Sequence, residues 1–111
     1  MVKTYVPSRG DIVWLNFNPQ TGHEQAGKRP AIVLSPKEYN IKTKLAILCP
    51  ITSKVKGYPF EVPISSKKIS GVVLADQIKN LDWQARNIEF ISTAPEKVID
   101  EISEKLSLLI L

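Results

Sequence analysis

The sequence is short of the side chains that most often carry metals, disulfides and proton relays. It holds one cysteine, Cys49, and one histidine, His23, in 111 residues. A single cysteine excludes an internal disulfide framework and a thiolate zinc cage, and it fits a reducing, cytoplasmic compartment. A single histidine excludes a two-histidine acid–base pair within the chain. The longest apolar stretch, Leu45 to Ile51, contains Pro50 and is far shorter than the ~20 residues a helical membrane span requires. The opening residues MVKTYVPSRGD have no apolar core, so neither a span nor a secretory signal is expected. Carboxylates are scattered as well. Glu24, Glu61, Asp76 and Asp82 stand apart with no ligand spacing, which disfavours a bound metal and two-metal nuclease chemistry. There is no P-loop, no glycine-rich nucleotide fingerprint and no Ser-His-Asp arrangement.

What is present describes one small globular domain over residues 1–111. Hydrophobic residues make up 43% of the chain, enough to exclude disorder and to build one modest core. The net charge of +4 is unevenly spread. Residues 28–68 carry nine basic side chains against Glu38 and Glu61, a balance of +7, while residues 69–94 and 95–111 are slightly acidic. A basic centre on a small domain is the electrostatic footprint of a polyanion partner, and equally of lysines spread over a solvated surface.

The punctuation predicts a β protein that ends in one helix. Apolar, β-rich runs cover Ile12–Leu15, Pro30–Leu34 and Lys44–Cys49, the last closed by Pro50. Tyr58–Ile64 alternates, with prolines suited to an edge strand. Gly71–Ala75 forms a fifth run continuing towards Leu81, and Ile88–Ile91 a sixth. Short strands at this spacing, without long intervening helices, point to a small barrel. From Val98 the period changes: Val98, Ile99, Ile102, Leu106 and Leu109 recur at helical steps, and Thr93-Ala94-Pro95-Glu96 supplies a capping-box pattern. The apolar end, Leu106 to Leu111, is expected to pack on the barrel or across a subunit interface.

Chemistry concentrates between the first two strands. The stretch Asn18 to Pro30 gathers His23, Glu24, Gln25, Lys28 and Arg29 between Gly22 and Gly27. A carboxylate or imidazole beside a guanidinium is a proton acceptor paired with a phosphate-binding cation. RNA carries its own nucleophile, the 2′-hydroxyl, so an enzyme that cuts it needs a base, charge stabilisation and help for the leaving 5′-oxygen. Taken bare, the same stretch also reads as a polar hairpin connection with a Glu24–Arg29 surface ion pair. Cys49, inside an apolar run, reads as a buried structural thiol.

Over essentially its whole length the sequence resembles the MazF/PemK/Kid family of toxin–antitoxin endoribonucleases, most closely the MazF branch. The resemblance rests on Tyr5-Val6-Pro7, Gly10-Asp11, Gly22…Glu24-Gln25-Ala26-Gly27…Arg29-Pro30 and Val33-Leu34-Ser35-Pro36. It continues through Thr52, Lys56-Gly57-Tyr58-Pro59-Phe60-Glu61-Val62, Gly71 with Leu74-Ala75-Asp76-Gln77, Trp83…Ala85-Arg86 and Ala94-Pro95-Glu96. It implies a mainly β fold with α, the small SH3-like barrel of CcdB/PemK-type toxins with a C-terminal amphipathic helix, forming a homodimer. It also implies cofactor-free, metal-independent cutting of single-stranded RNA at short motifs, leaving a 2′,3′-cyclic phosphate and a 5′-hydroxyl.

Carried over by position, Glu24 is the general base, Arg29 the cation at the scissile phosphate and Thr52 a hydroxyl donor to it. A guanidinium does not readily release a proton, so electrostatic stabilisation is the role expected of Arg29. His23 matches a histidine of the PemK/Kid branch and is a candidate auxiliary. Asp76 matches an aspartate used in that branch, whereas the arginine that accompanies it there is Leu74 here. Gln25, Lys56, Gln77, Lys79 and Arg86, with Asp76, are candidates for RNA contact, and Trp14 and Trp83 for base stacking. The resemblance further implies a cognate antitoxin with an acidic, disordered C-terminal tail, and operator DNA bound only through the antitoxin complex. Two rivals are a barrel toxin that poisons DNA gyrase without catalysis, which needs no base–cation pair, and a DNA-binding autoregulator without catalysis, although the resemblance implies that the antitoxin supplies the DNA-reading head.

Overall fold

Strand β3 (Leu45–Thr52) organises the molecule because it is shared between two sheets. The computed structural model describes residues 5–18, 27–66 and 68–111. Along one edge, β3 pairs with β2 (Lys28–Val33), which pairs with β1 (Asp11–Asn16), which in turn pairs with β7 (Glu89–Thr93). Along its other edge, the first half of β3 takes β6 (Lys79–Asp82) and its end takes β5 (Ser70–Leu74), with β4 (Glu61–Ser65) outside. All these pairings are antiparallel, and the sheet curls as a half-barrel with helix α2 (Glu96–Ile110) against it.

Burial on both faces explains why the central strands read as continuous apolar runs rather than alternating ones. Ile12, Ile32, Cys49 and Ile51 face a core shared with Val73 and with Val98 and Ile102 of α2. Their sequence neighbours Val13, Ala31, Val33 and Leu48 face a second core with Phe17 and Trp83. The period of two thus fills both sides of one sheet.

The structure corrects several boundaries. Pro50 does not end the third strand; β3 runs through it to Thr52, with Pro50 opposite Ala31. Tyr58–Phe60 precede β4 rather than belonging to it, and a 3-10 turn over Ala75–Gln77 separates β5 from β6. A short helix, α1 (Lys37–Thr43), follows Pro36 where no element is expected, because it is polar and buries only Asn40. The capping box does not form: Thr93 pairs with Asp11 in the sheet, and α2 starts after Pro95 with no side-chain cap. Of the apolar end of α2, Leu106 packs on the first core, and the rest does not fold back on the barrel. Leu108, Leu109, Ile110 and Leu111 are all exposed.

Trp83 is not a stacking platform. It is 1% exposed, packs in the second core and donates from Nε1 to the Asn40 carbonyl at 3.1 Å. Trp14 is half-buried, with the Lys28 ammonium 5.9 Å from its ring centroid. Cys49 is fully buried, and burial with the Asp76 charge pushes its thiol up from 9.0 to about 12. The unfolded thiol then ionises before the folded one, so stability falls as pH rises from about 9 towards 12. Urea midpoints are expected to drop more steeply over that window in the wild type than in Cys49→Ala, and parallel pH slopes would contradict it.

Candidate active site

Antiparallel register brings two of the candidate residues together. Ala31 opposes Pro50, and continuing that register two residues places Arg29 across from Thr52 on the same face. Arg29 is half-buried near the start of β2; Thr52, the last residue of β3, is buried. Both line two adjoining cavities. One, of about 210 Å³, is walled by Lys54, Lys56, Tyr58, Glu61 and Gln77. The other, of about 390 Å³, is walled by Trp14, Lys28, Ser53 and Lys68. A guanidinium and a hydroxyl therefore sit where two clefts meet, among lysines from the basic centre of the chain. A groove lined by several cations carries a positive potential that favours a polyanion.

Thr52 is held by close backbone approach. It pairs with Val72, and next to that residue a Cβ on Gly71 would lie 2.2 Å from the Thr52 carbonyl oxygen. Only glycine fits there. Gly71→Ala is expected to displace the end of β3, costing about 1–3 kcal/mol of stability and at least tenfold in cleavage rate. A variant with wild-type rate and denaturation midpoint would show that β3 yields without moving Thr52.

The other wall is tied by side chains. Tyr58 donates its hydroxyl to Asp76 Oδ1 at 2.6 Å. Burial, that hydrogen bond and the charges of Asp76 and Glu61 push the phenol well above its ordinary value, so Tyr58 stays a neutral donor at physiological pH. Asp76 is thus engaged from the cleft side, while Gln77 is half-buried in the smaller cavity. Lys79 stands opposite Leu48, four residues along β3 from Thr52, and is not brought to the two cavities.

Arg86 has a supporting position. Its Nη1 donates to the Asn16 and Asn18 carbonyls at 3.0 and 2.8 Å, and its own carbonyl accepts from Asn16 N–H. Phe17 N–H donates to the Gly27 carbonyl, and Gly27 N–H to Asn18 Oδ1. These bonds tie residues 16–18 to Arg86 and to Gly27, which precedes Lys28 and Arg29 in the chain. His23, Glu24 and Gln25 lie outside the described residues. Among the described residues, no group of three His, Cys, Asp or Glu side chains is placed to hold a metal ion, and no helix is long and apolar enough to cross a membrane.

Glu61, Tyr58 and Gly71 are parts of this site to which residue patterns alone assign no role. A lone glycine heading an apolar strand is a signal of close backbone approach, which Gly71 turns out to be. A lone carboxylate before Val62 carries no comparable signal.

Comparison with known proteins agrees with this architecture. The sequence profile of a family described as PemK-like, MazF-like toxin of type II toxin–antitoxin system matches residues 8–110. The endoribonuclease toxin MazF of Escherichia coli strain K12 is 46% identical over 110 residues, 99% of each chain. The crystal structure of MazF (Form-I) from Deinococcus radiodurans matches with a TM-score of 0.93 at 54% identity, covering 97% of this chain and 100% of that one. A MazE–MazF crystal structure (Form-II) from the same organism matches with a TM-score of 0.85 at 47% identity, covering 96% and 97%.

Proposed function

From the premise that this chain belongs to the PemK-like, MazF-like toxins of type II toxin–antitoxin systems and is an endoribonuclease, we propose that it cuts single-stranded mRNA over the Arg29–Thr52 cleft. The observation that carries the reading is the meeting of a half-buried guanidinium and a buried hydroxyl at the junction of two lysine-walled cavities. In this reading Glu24 takes the proton from a 2′-hydroxyl. The 2′-oxygen attacks the adjacent phosphorus, and the bond to the 5′-oxygen breaks. The products are a 2′,3′-cyclic phosphate and a 5′-hydroxyl, with a proton returned to the leaving oxygen. Charge grows on the phosphoryl oxygens in the transition state, where the Arg29 guanidinium and the Thr52 hydroxyl stabilise it. No redox or metal step is needed. His23 serves as an auxiliary, Gln25, Lys56 and Gln77 contact RNA, and Arg86 braces Asn16 and Asn18; Lys79, away from the two cavities, is given no contact there. Asp76 acts through Tyr58. A gyrase poison and a DNA-binding autoregulator are set aside, because endoribonuclease activity is the family's own.

The setting follows from the same surface. The exposed Leu108–Leu111 end suits a second copy of the chain, giving a homodimer. The basic cleft suits an acidic tail with apolar anchors, that of a cognate antitoxin, which brings the complex to operator DNA in the cytoplasm. Titrating a synthetic acidic tail of the antitoxin against bound non-cleavable RNA is expected to displace the RNA, less effectively as salt rises. A ternary complex without displacement would place inhibition away from the cleft.

A further inference from the structure

The rim of the smaller cavity, residues 53–60, is almost wholly exposed: Ser53 to Gly57 and Pro59 lie in solvent. Such a segment has little apolar burial to fix its shape. A buried carboxylate holds it instead. Glu61, the first residue of β4, is 8% exposed and divides its oxygens between consecutive backbone amides. Oε2 accepts from Lys56 N–H at 2.9 Å and Oε1 from Gly57 N–H at 2.8 Å. Turning two successive amides towards one carboxylate takes a tight bend, and Gly57 supplies it with a φ of +83°. A Cβ on Gly57 would meet nothing within 4 Å, so glycine is required there for conformation rather than space. The two ends of the segment are tied to the site. Lys54 N–H donates to Thr52 Oγ1 at 3.1 Å, and Tyr58 donates to Asp76.

Both Glu61 oxygens are already accepting charge-assisted hydrogen bonds in a buried position, which leaves this carboxylate poorly placed to take a proton from substrate. We propose that Glu61 is a positioning residue: by gripping the Lys56 and Gly57 amides it fixes the Lys54–Tyr58 rim and so sets which RNA sequences the cleft accepts. The proposal rests on the reading of the Arg29–Thr52 cleft as the RNA site. A base is read through groups held to within a fraction of an ångström, and an exposed rim without its clamp does not hold Lys56 and Tyr58 that closely.

Glu61→Gln tests it, because glutamine keeps the shape and one acceptor but turns an NH₂ group towards a backbone N–H. With a single-site RNA oligonucleotide, KM is expected to rise about tenfold while kcat changes little. On a long RNA the variant is expected to cut at additional sequences. Unchanged KM and an unchanged cleavage map in the folded variant would overturn the proposal. A loss confined to kcat would also overturn it, by placing Glu61 in the chemistry. Hydrogen exchange in the wild type keeps the test open if the variant fails to fold. The Lys56 and Gly57 amides are expected to exchange much more slowly than the exposed Val55 amide, and equal rates would mean there is no clamp. Full activity in Arg29→Ala would instead sink the underlying site reading, an outcome distinct from failure of the clamp alone.

Discussion

A single 2′-deoxy substitution at the nucleotide 5′ to the cut is expected to abolish cleavage, while excess EDTA leaves the rate unchanged. The described part of the cleft offers a cation and a hydroxyl for the phosphate, Arg29 and Thr52. In the proposed mechanism the substrate's own 2′-oxygen is the nucleophile, held beside the phosphorus by the ribose ring. Intramolecular attack of that kind carries an effective molarity of about 10⁵ M or more, and water has no comparable advantage. Removing one oxygen atom from the substrate therefore removes the reaction, whereas chelating divalent ions removes nothing that the proposed steps use. Gel analysis of matched ribo- and deoxy-substituted oligonucleotides checks this directly. Cutting of the deoxy substrate, or strong dependence on magnesium, would contradict the mechanism.

Glu24→Ala and Arg29→Ala are each expected to slow cleavage by about 10²–10⁴-fold, the range for removing a general base or a transition-state charge stabiliser. The two should differ in binding. In the proposed mechanism Arg29 meets a phosphate that is charged before as well as during the reaction, so its removal is expected to weaken RNA affinity more than removal of Glu24. Thr52→Ala should cost less than either, because water replaces one hydroxyl. Single-turnover rates with separately measured affinities distinguish these roles. His23→Ala decides the base: a loss as large as that of Glu24→Ala would transfer the proton-accepting role to the histidine.

Residue patterns made the strands of the two-sided core legible, because Ile12–Leu15 and Pro30–Leu34 are apolar on both faces wherever they sit. They did not disclose α1, whose seven residues bury only Asn40 and carry no apolar stripe. Pro50 misled for a related reason. Proline ends a ladder by lacking an N–H, but β3 continues through it to Thr52, the hydroxyl proposed to meet the phosphate. Trp83 looked as suited to bases as to a core, and the choice was made by tertiary structure, through the Asn40 carbonyl that takes its indole N–H. The site shows the same division. Arg29 and Thr52 are recognisable as residue types, but their meeting depends on the β2–β3 register, which no local pattern encodes. Arg86 is recognisable as a cation, yet its bonds to Asn16 and Asn18 give it a structural duty that charge alone does not reveal. The Glu61 hydrogen bonds span only five and four residues, to Lys56 and Gly57, yet residue type and spacing do not mark them, because they depend on the bend at Gly57.

Mass spectrometry of the fragments from one defined single-stranded RNA tests the central claim most directly, because the ends record which oxygen attacked. Attack by the 2′-oxygen over the Arg29–Thr52 cleft predicts a 2′,3′-cyclic phosphate on the upstream fragment and a 5′-hydroxyl on the downstream one. A 3′-hydroxyl with a 5′-phosphate would mean that water attacked and that the leaving group was on the other side of the phosphorus, and the account given for Glu24, Arg29 and Thr52 would be wrong.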